Sequence, residues 1–199
     1  QGVSSLYPVE HSIIPDRIED GTLLAAAAIT RGRVRINHII PEQLEATTRK
    51  LQESRVKIEM GSDFIEVNAE DGISAVDVKT MPYPGFPTDM QPQFCALLTL
   101  AAGTSVVTES IFENRFMHIQ ELRRMGADIR IEGKSAIIQG VPKMSGAPVK
   151  VSDLRAGAAL LLAGLAAEGE TFIEDRDHHL NRGYEKIIEK LSGLGADIK

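Results

Sequence analysis

A unit of about 70 residues occurs three times in this chain and limits the folds it can adopt more than any other feature. The segments KLQESRVKI, ELRRMGADI and KLSGLGADI align on three leucines, Leu51, Leu122 and Leu191. Upstream of each lies an aspartate, then an apolar stretch, a glycine and a β-branched segment; the aspartates are Asp16, Asp89 and Asp153. Three copies of one supersecondary unit predict three equivalent structural elements packed around a common centre.

Each unit is predicted to contain one buried helix and one surface helix. The first helix, over about 16–31, 89–102 and 153–168, is rich in Ala and Leu on nearly every face, so it must be buried on most sides. The second helix has an apolar stripe and a charged remainder, as with Leu122 and Met125, and is expected to cover one side of a sheet. The segments VKIEMGSDFIEVNA and DIRIEGKSAIIQG alternate about turn residues as β-hairpins do.

The predicted fold class is therefore α/β, with three βαβαββ-like units that place their buried helices together at the centre and their sheets outside. One domain over residues 1–199 is expected, with units at about 9–72, 73–141 and 142–199. The third unit ends at GADIK, after a single predicted strand beside Asp197 and Ile198, and so is expected to leave a bare sheet edge.

Composition narrows the classes of function. The net charge of −6 argues against a nucleic-acid or anionic-membrane partner, because both need a basic surface. A single cysteine excludes an intrachain disulfide framework and fits a reducing compartment. No secretory signal or long apolar span is evident, so a soluble, cytoplasmic protein is expected. The first residue is Gln1, so we expect translation to start upstream of this chain.

The segment YPGFPTDMQPQF places Asp89 directly before a strongly apolar helix. An aspartate there can cap the helix by accepting hydrogen bonds from its first free N–H groups. A helix N-terminus is also an anion site, so the same carboxylate can act on a molecule bound nearby. Both interpretations stand on the residues alone.

Five long motifs carry a resemblance to a known family: PYPGFPTDMQ, ESIFENRFMH, ELRRMGADIRIEG, SDLRAGAALLLAGLAAEGET and NRGYEKIIEKL. Over Val9 to Lys199 the chain resembles the UDP-N-acetylglucosamine enolpyruvyl transferases (1-carboxyvinyltransferases). The resemblance implies an inside-out α/β barrel. It also implies transfer of the enolpyruvyl group of phosphoenolpyruvate to the sugar 3-hydroxyl with release of phosphate, without a metal cofactor, in peptidoglycan synthesis. The related 3-phosphoshikimate 1-carboxyvinyltransferases share the fold and are the alternative.

The resemblance assigns roles to four polar residues. Asp89 matches the aspartate that serves as general base or proton relay for the sugar hydroxyl. Arg182 matches the arginine that holds phosphoenolpyruvate, and it is expected at the start of the last amphipathic helix. Asn181 stands beside it where the family usually has aspartate. Arg155 is expected to meet a substrate carboxylate, and Asp153 is expected either to bind substrate or to cap its helix.

Three further positions match the substrate site of the family. Arg115 is expected to bind substrate, although a salt bridge with Glu113 or Glu121 would also explain it. Ile111 and Phe112 match residues that contact the nucleotide-sugar, although an apolar pair of this kind is often part of a core.

Two nucleophilic or ligating candidates are set aside on the sequence. Cys95 lies within an apolar helix and is expected to be a small buried side chain. The resemblance places the reactive cysteine that fosfomycin attacks in the other domain of the family. His178 and His179 lack the spacing of a helical metal pair, so no metal is expected.

The resemblance also implies a two-domain enzyme of which this chain is only the C-terminal domain, inactive without its N-terminal partner domain. In the family, a strand from the extreme N-terminus completes the sheet of the third unit. The alternative is a stand-alone binding module that has kept the repeat and lost catalysis. Retention of Asp89, Arg155 and Arg182 favours the half-enzyme.

Overall fold

The computed structural model describes residues 2–199 as seven α-helices and nine strands. The helices are α1 Arg17–Ile29, α2 Glu45–Glu53, α3 Gln91–Leu98, α4 His118–Arg124, α5 Leu154–Ala166, α6 His179–Gly183 and α7 Ile187–Gly193. The strands are β1 Arg33–Asn37, β2 Lys57–Met60, β3 Phe64–Asn68, β4 Val78–Lys79, β5 Thr104–Thr108, β6 Asp128–Glu132, β7 Ser135–Gln139, β8 Pro148–Lys150 and β9 Phe172–Glu174. Short 3-10 turns, Pro41–Leu44 and Thr88–Met90, precede α2 and α3.

Helices α1, α3 and α5 pack on one another at the centre, as the repeat predicts. All eight residues of α3 are buried, including the polar Gln91 and Gln93. Their Ala- and Leu-rich faces explain this placement, because a helix that is apolar on most sides is stable only when neighbours cover it. The three helices form the core of the protein.

The strands form three separate sheets outside these helices, in the orders β1-β3-β2, β4-β5-β7-β6 and β8-β9. The predicted hairpins are confirmed, since β2 pairs with β3 and β6 pairs with β7, both antiparallel. β4 runs parallel to β5, and β8 runs parallel to β9. The helices-inside, sheets-outside arrangement is confirmed, but within residues 2–199 the three sheets do not join into a closed barrel.

The surface helices α2, α4 and α7 bury the leucine that defines the repeat. Leu51, Leu122 and Leu191 are all buried, while most charged residues of the same helices face solvent. In the third unit the buried apolar stripe of α7 includes Ile187 and Leu191 but not Leu194, which is exposed.

The predicted strand beside Asp197 and Ile198 is wrong. The chain after Leu194 has no regular structure, and Ile198 packs half-buried against the core. A strand requires neighbouring backbone groups with which to pair. In units one and two the equivalent strands, β2 and β6, pair with β3 and β7, and among residues 2–199 the third unit has no strand equivalent to β3 or β7.

Equivalent hydrogen bonds join successive units at the ends of their helices. Ser74 N–H donates to the Ser54 carbonyl at 2.9 Å, and Ser145 N–H donates to the Met125 carbonyl at 2.9 Å. The backbone hydrogen bonds at the junction of units one and two are therefore equivalent to those at the junction of units two and three.

No helix among the described residues is long and apolar enough to cross a membrane.

Candidate active site

The three repeat-equivalent aspartates do not share one role. Asp16 caps α1 by accepting a hydrogen bond from Ile18 N–H at 2.8 Å, and Asp153 caps α5 by accepting from the N–H groups of Arg155 and Ala156. Asp89 lies instead within the 3-10 turn before α3, and no side chain caps α3. Capping therefore does not explain Asp89.

Two arginines hold the Asp89 carboxylate at the entrance to α3. Arg115 Nη2 lies 2.6 Å from Oδ1 of Asp89, and Arg155 Nη2 lies 3.2 Å from Oδ2. The Arg155 side chain is only 12% exposed and that of Arg115 is 21% exposed. Partial burial strengthens charge pairs of this kind, because less water screens them.

The arginines also set the protonation of Asp89. Burial on its own raises the pKa of this carboxyl, but the hydrogen bond from Arg115 and the charges of Arg155 and Arg115 outweigh it and hold the pKa below its ordinary value. Asp89 is thus an ionised hydrogen-bond acceptor in this arrangement. A carboxylate with a lowered pKa is a weak base for as long as both arginines stay in place.

A buried polar network links Arg155 to all three central helices. Arg155 Nη1 donates to the Tyr184 hydroxyl at 3.1 Å, and Gln93 Nε2 donates to the same hydroxyl at 3.1 Å. Thr22 lies 3.3 Å from that hydroxyl and accepts from Gln93 at 3.0 Å. Because Thr22, Gln93 and Arg155 lie on α1, α3 and α5, the network fixes the position of Arg155 relative to the core.

A buried glutamate arranges the other side of the site. Glu109 is 1% exposed and accepts hydrogen bonds from the hydroxyls of Thr80 and Thr88 at 2.8 and 2.9 Å. It also accepts from the N–H groups of Ile111 and Phe112 at 2.8 and 3.1 Å. Four donors satisfy the carboxylate without a cation, and together they hold the loop after β5 beside Asp89.

Arg115 is bound to this glutamate through Thr88. Its Nη1 donates to the Thr88 hydroxyl at 2.8 Å, and that hydroxyl donates to Glu109. The alternative salt bridge with Glu113 or Glu121 does not form, because the guanidinium pairs with Asp89 instead. A continuous series of hydrogen bonds therefore runs from Glu109 through Thr88 and Arg115 to the Asp89 carboxylate.

Ile111 and Phe112 lie on the surface of the site and not in a core. They are 40% and 52% exposed, and the Arg115 guanidinium stacks over the Phe112 ring at 4.8 Å. An exposed aromatic ring beside an arginine and a carboxylate offers a flat apolar surface at the edge of a polar site.

Arg182 differs from its predicted position. It lies in the last turn of the separate short helix α6, because the backbone becomes extended at Tyr184 and left-handed at Lys186 before α7 begins. Its side chain is exposed and makes no hydrogen bond or ion pair within residues 2–199. This interruption between α6 and α7 places the buried Tyr184, two residues beyond Arg182, where its hydroxyl joins the polar network with Arg155 and Gln93. Asn181 is exposed and its side chain makes no hydrogen bond within the same range.

The expectation for Cys95 is confirmed. It is fully buried, and burial raises the pKa of its thiol, so it remains a protonated small side chain. Over the described range 2–199 there is no group of three or more His, Cys, Asp or Glu residues placed to hold a metal ion.

Comparison with known proteins assigns the family. The sequence model for EPSP synthase (3-phosphoshikimate 1-carboxyvinyltransferase) matches residues 1–191. The chain belongs to the EPSP synthase family. Membership agrees with the fold, in which three repeated units surround central helices and polar residues gather at the N-terminal ends of those helices.

Within the EPSP synthase family, the chain is similar to curated proteins named UDP-N-acetylglucosamine 1-carboxyvinyltransferase. It is 55% identical over 199 residues to the one from Desulfosudis oleivorans and 55% identical to the one from Halorhodospira halophila. These alignments cover the whole chain but only 48% and 47% of those proteins. The chain thus spans about half the length of the curated relatives it matches.

Solved structures give the same fold assignment. The enolpyruvyl transferase NikO from Streptomyces tendae superposes with a TM-score of 0.83 at 30% identity, covering 94% of this chain and 44% of NikO. EPSP synthase from Acinetobacter baumannii superposes with a TM-score of 0.70 at 21% identity, covering 95% and 44%. The inside-out arrangement is therefore the enolpyruvyl transferase fold.

Of the residues that the structure brings together around Asp89, the sequence singled out Asp89, Arg115 and Arg155 but not Glu109 or Tyr184. Tyr184 stands in the motif NRGYE, and a large aromatic residue within a charged segment is a signal that the sequence does contain. Glu109 follows the β-branched segment TSVVT directly, and nothing local distinguishes it from an exposed acid at a strand end.

Proposed function

We propose that this chain is half of a transferase that moves the enolpyruvyl group of phosphoenolpyruvate to the 3-hydroxyl of UDP-N-acetylglucosamine with release of phosphate. That reaction is the first committed step of peptidoglycan synthesis. The observation that carries the proposal is the Asp89 carboxylate, which lies between Arg115 and Arg155 where its repeat equivalents cap helices. The 53–56% identity to relatives of that name supports the choice of substrate.

The arginine pair suits both the anionic substrate and the proton transfer. A planar guanidinium binds carboxylate or phosphate through two charge-assisted hydrogen bonds. When phosphoenolpyruvate draws Arg155 and Arg115 toward its own charges, Asp89 loses the partners that lower its pKa. Its basicity then rises in the presence of substrate, when the sugar hydroxyl has to give up a proton.

The remaining predicted residues take positions around this centre. Arg182, exposed and unpaired within residues 2–199, is available to bind phosphoenolpyruvate. Ile111 and Phe112 offer an apolar surface for the nucleotide-sugar. Asp153 uses Oδ1 to cap α5, and its Oδ2, which accepts a hydrogen bond from the Ser152 hydroxyl at 3.2 Å, is the oxygen proposed to contact substrate.

We propose that the rest of the active site comes from a second domain, similar to the part of the curated relatives that this chain does not cover. That domain would carry the cysteine that fosfomycin attacks. The chain alone is then inactive, no metal or other cofactor takes part, and the pair works in the cytoplasm.

The acceptor in 3-phosphoshikimate 1-carboxyvinyltransferases is the competing possibility, since the matching family carries that name. The solved EPSP synthase from Acinetobacter baumannii is only 21% identical, whereas the UDP-N-acetylglucosamine relatives exceed 50%. Sequence similarity therefore favours the nucleotide-sugar as acceptor.

Phosphate release tests the proposal. The chain is mixed with the part of the Desulfosudis oleivorans relative that it does not cover, and phosphoenolpyruvate is supplied with either UDP-N-acetylglucosamine or shikimate 3-phosphate. We expect phosphate release only with UDP-N-acetylglucosamine and only when both halves are present. Phosphate release with shikimate 3-phosphate but not with UDP-N-acetylglucosamine would assign the other acceptor. Phosphate release from this chain without the partner domain would refute the proposal that it is half of an enzyme.

A further inference from the structure

A cavity lies at the opposite end of the central helices from Asp89. It has a volume of about 670 Å³ and opens between units one and two. This basal cavity is lined by Arg31, Arg55 and residues 71–74, 100–102 and 140–142. Helix α1 separates the two ends by about 20 Å, at 1.5 Å per residue.

Two arginines give the basal cavity a positive charge. The side chains of Arg31 and Arg55 are exposed and make no hydrogen bond or ion pair within residues 2–199. The acid that lines the cavity, Asp71, pairs with Lys57 at 2.7 Å. The cavity therefore offers two guanidinium groups that form no ion pair with a carboxylate of the described chain.

Both arginines have a backbone conformation that favours glycine. Arg31 has φ of 54° and Arg55 has φ of 70°. The repeat equivalents of Arg55 are Gly126 and Gly195, which have φ of 94° and 102°. A side chain in this region is strained, and such strain persists where the surroundings or a function require it.

The architecture of the junction does not require an arginine. The junction of units two and three makes the same hydrogen bonds, from Ser145 N–H to Met125 and from Glu168 N–H to Met144, and it has Gly126 at the left-handed position. Unit one thus differs from the other two units at Arg55, a residue that lines the basal cavity.

Complementing the helix dipole does not explain the departure either. A cation near a helix C-terminus is stabilised by the carbonyl ends of the helix. Helix α4 achieves this with Arg123 and Arg124 in its last turn and keeps Gly126 beyond it. A basic residue in the last turn therefore supplies the charge without strain, and the position of Arg55 needs another reason.

We propose that the basal cavity binds a small molecule bearing a phosphate group, held by the guanidinium groups of Arg31 and Arg55. The cavity volume lies in the range of small-molecule sites, roughly 300–1,000 Å³. Two arginines from different helix ends match a dianionic phosphate, because each guanidinium donates to two oxygens. Ser74 also lines the cavity, and its hydroxyl group is of a type that can donate a hydrogen bond to a phosphate oxygen.

The test is a titration of the 199-residue chain with inorganic phosphate and pyrophosphate, followed by the backbone amide signals of Gly72, Ser74 and Gly140. We expect saturable shifts at these amides. Arg55→Gly should weaken binding about tenfold, the loss typical of one charged hydrogen bond. The same change should raise Tm by roughly 2–4 °C without ligand, since it removes left-handed strain.

Lys186→Gly is the matched control, because Lys186 has φ of 49°, carries the same charge and lies outside the basal cavity. It should raise Tm similarly and leave the titration at Gly72, Ser74 and Gly140 unchanged. The inference is overturned if these amides show no saturable shift at millimolar phosphate. It is equally overturned if Arg55→Gly binds as the unaltered chain does, or if shifts occur only around Asp89.

Discussion

At the scale of single residues, equivalent positions in a repeat acquire different chemistry from their distant neighbours. Asp16, Asp89 and Asp153 all precede a central helix, yet only Asp89 meets two guanidinium groups. Arg115 and Arg155 come from positions 26 and 66 residues away. The helix start decides where the carboxylate lies, and the arginines decide what it does.

Replacing Asp89 tests its proposed role as general base. In the reconstituted enzyme, Asp89→Ala should slow turnover by roughly 10²–10⁴-fold, the usual loss of a general base, with nucleotide-sugar binding changed much less. Asp16→Ala is the control, since it removes a cap, should cost about 1 kcal/mol of stability and should leave turnover intact. Turnover near that of the unaltered enzyme in Asp89→Ala would exclude the catalytic role.

Asp20 makes stability depend on pH. Burial, together with the neighbouring carboxylates of Asp16 and Glu19, raises its pKa to about 6 from 3.8. The folded state then binds this proton more tightly than the unfolded state, so the protein loses stability as pH rises from about 4 through about 6.

Asp20→Asn should therefore be more stable than the unaltered chain at pH 7.5 and equally stable near pH 4, as measured by urea unfolding. His118 works in the opposite direction, because burial lowers its pKa to about 4. It is present in both proteins, so its effect cancels in the difference. A stability difference that is the same at both pH values would contradict the raised pKa of Asp20.

At the scale of elements, the site depends on loops that buried polar groups hold to the core. Glu109 holds the loop carrying Ile111 and Phe112, and Tyr184 holds the end of α6 behind Arg182. Neither anchor needs to contact substrate. Each fixes the position of residues that are proposed to do so.

Removing the Glu109 carboxylate should release its loop. In Glu109→Ala, hydrogen exchange at the Ile111 and Phe112 amides should accelerate at least about tenfold, because each loses its acceptor. Glu109→Gln should restore protection, since its carbonyl can still accept from both amides. Glu113→Ala alters an exposed neighbour and should have no effect. Unchanged exchange in Glu109→Ala would mean that other contacts order the loop.

At the scale of the whole molecule, stability depends on the three central helices. Every residue of α3 is buried, and α3 packs against both α1 and α5. Leu97→Ala should therefore cost about 2–5 kcal/mol of unfolding free energy, the range for a leucine deleted from a packed core. Leu194→Ala, at a site 54% exposed, should cost far less. If urea unfolding showed similar losses of unfolding free energy for Leu97→Ala and Leu194→Ala, the central helices would not be the main source of stability.

Much of the fold was accessible from the sequence, because periodicity and burial are local properties. The repeat predicted the central helices and the hairpins β2–β3 and β6–β7, which the structure confirms. It failed at Asp197 and Ile198, where the residues suit a strand but no partner strand is present in the described chain. Strand formation depends on a neighbour, and a single segment of sequence does not contain that information.

The sequence by itself determined the three units, their buried helices and the presence of an aspartate at the start of each. Only the tertiary structure decided that Asp16 and Asp153 cap while Asp89 pairs with arginines. It also decided that Glu109 is a buried anchor and that Arg55 lines a cavity. The physical reason is common to all these cases. Helix propensity is set by residues within a few positions, whereas the charge state and partners of a side chain depend on groups that folding brings from far along the chain.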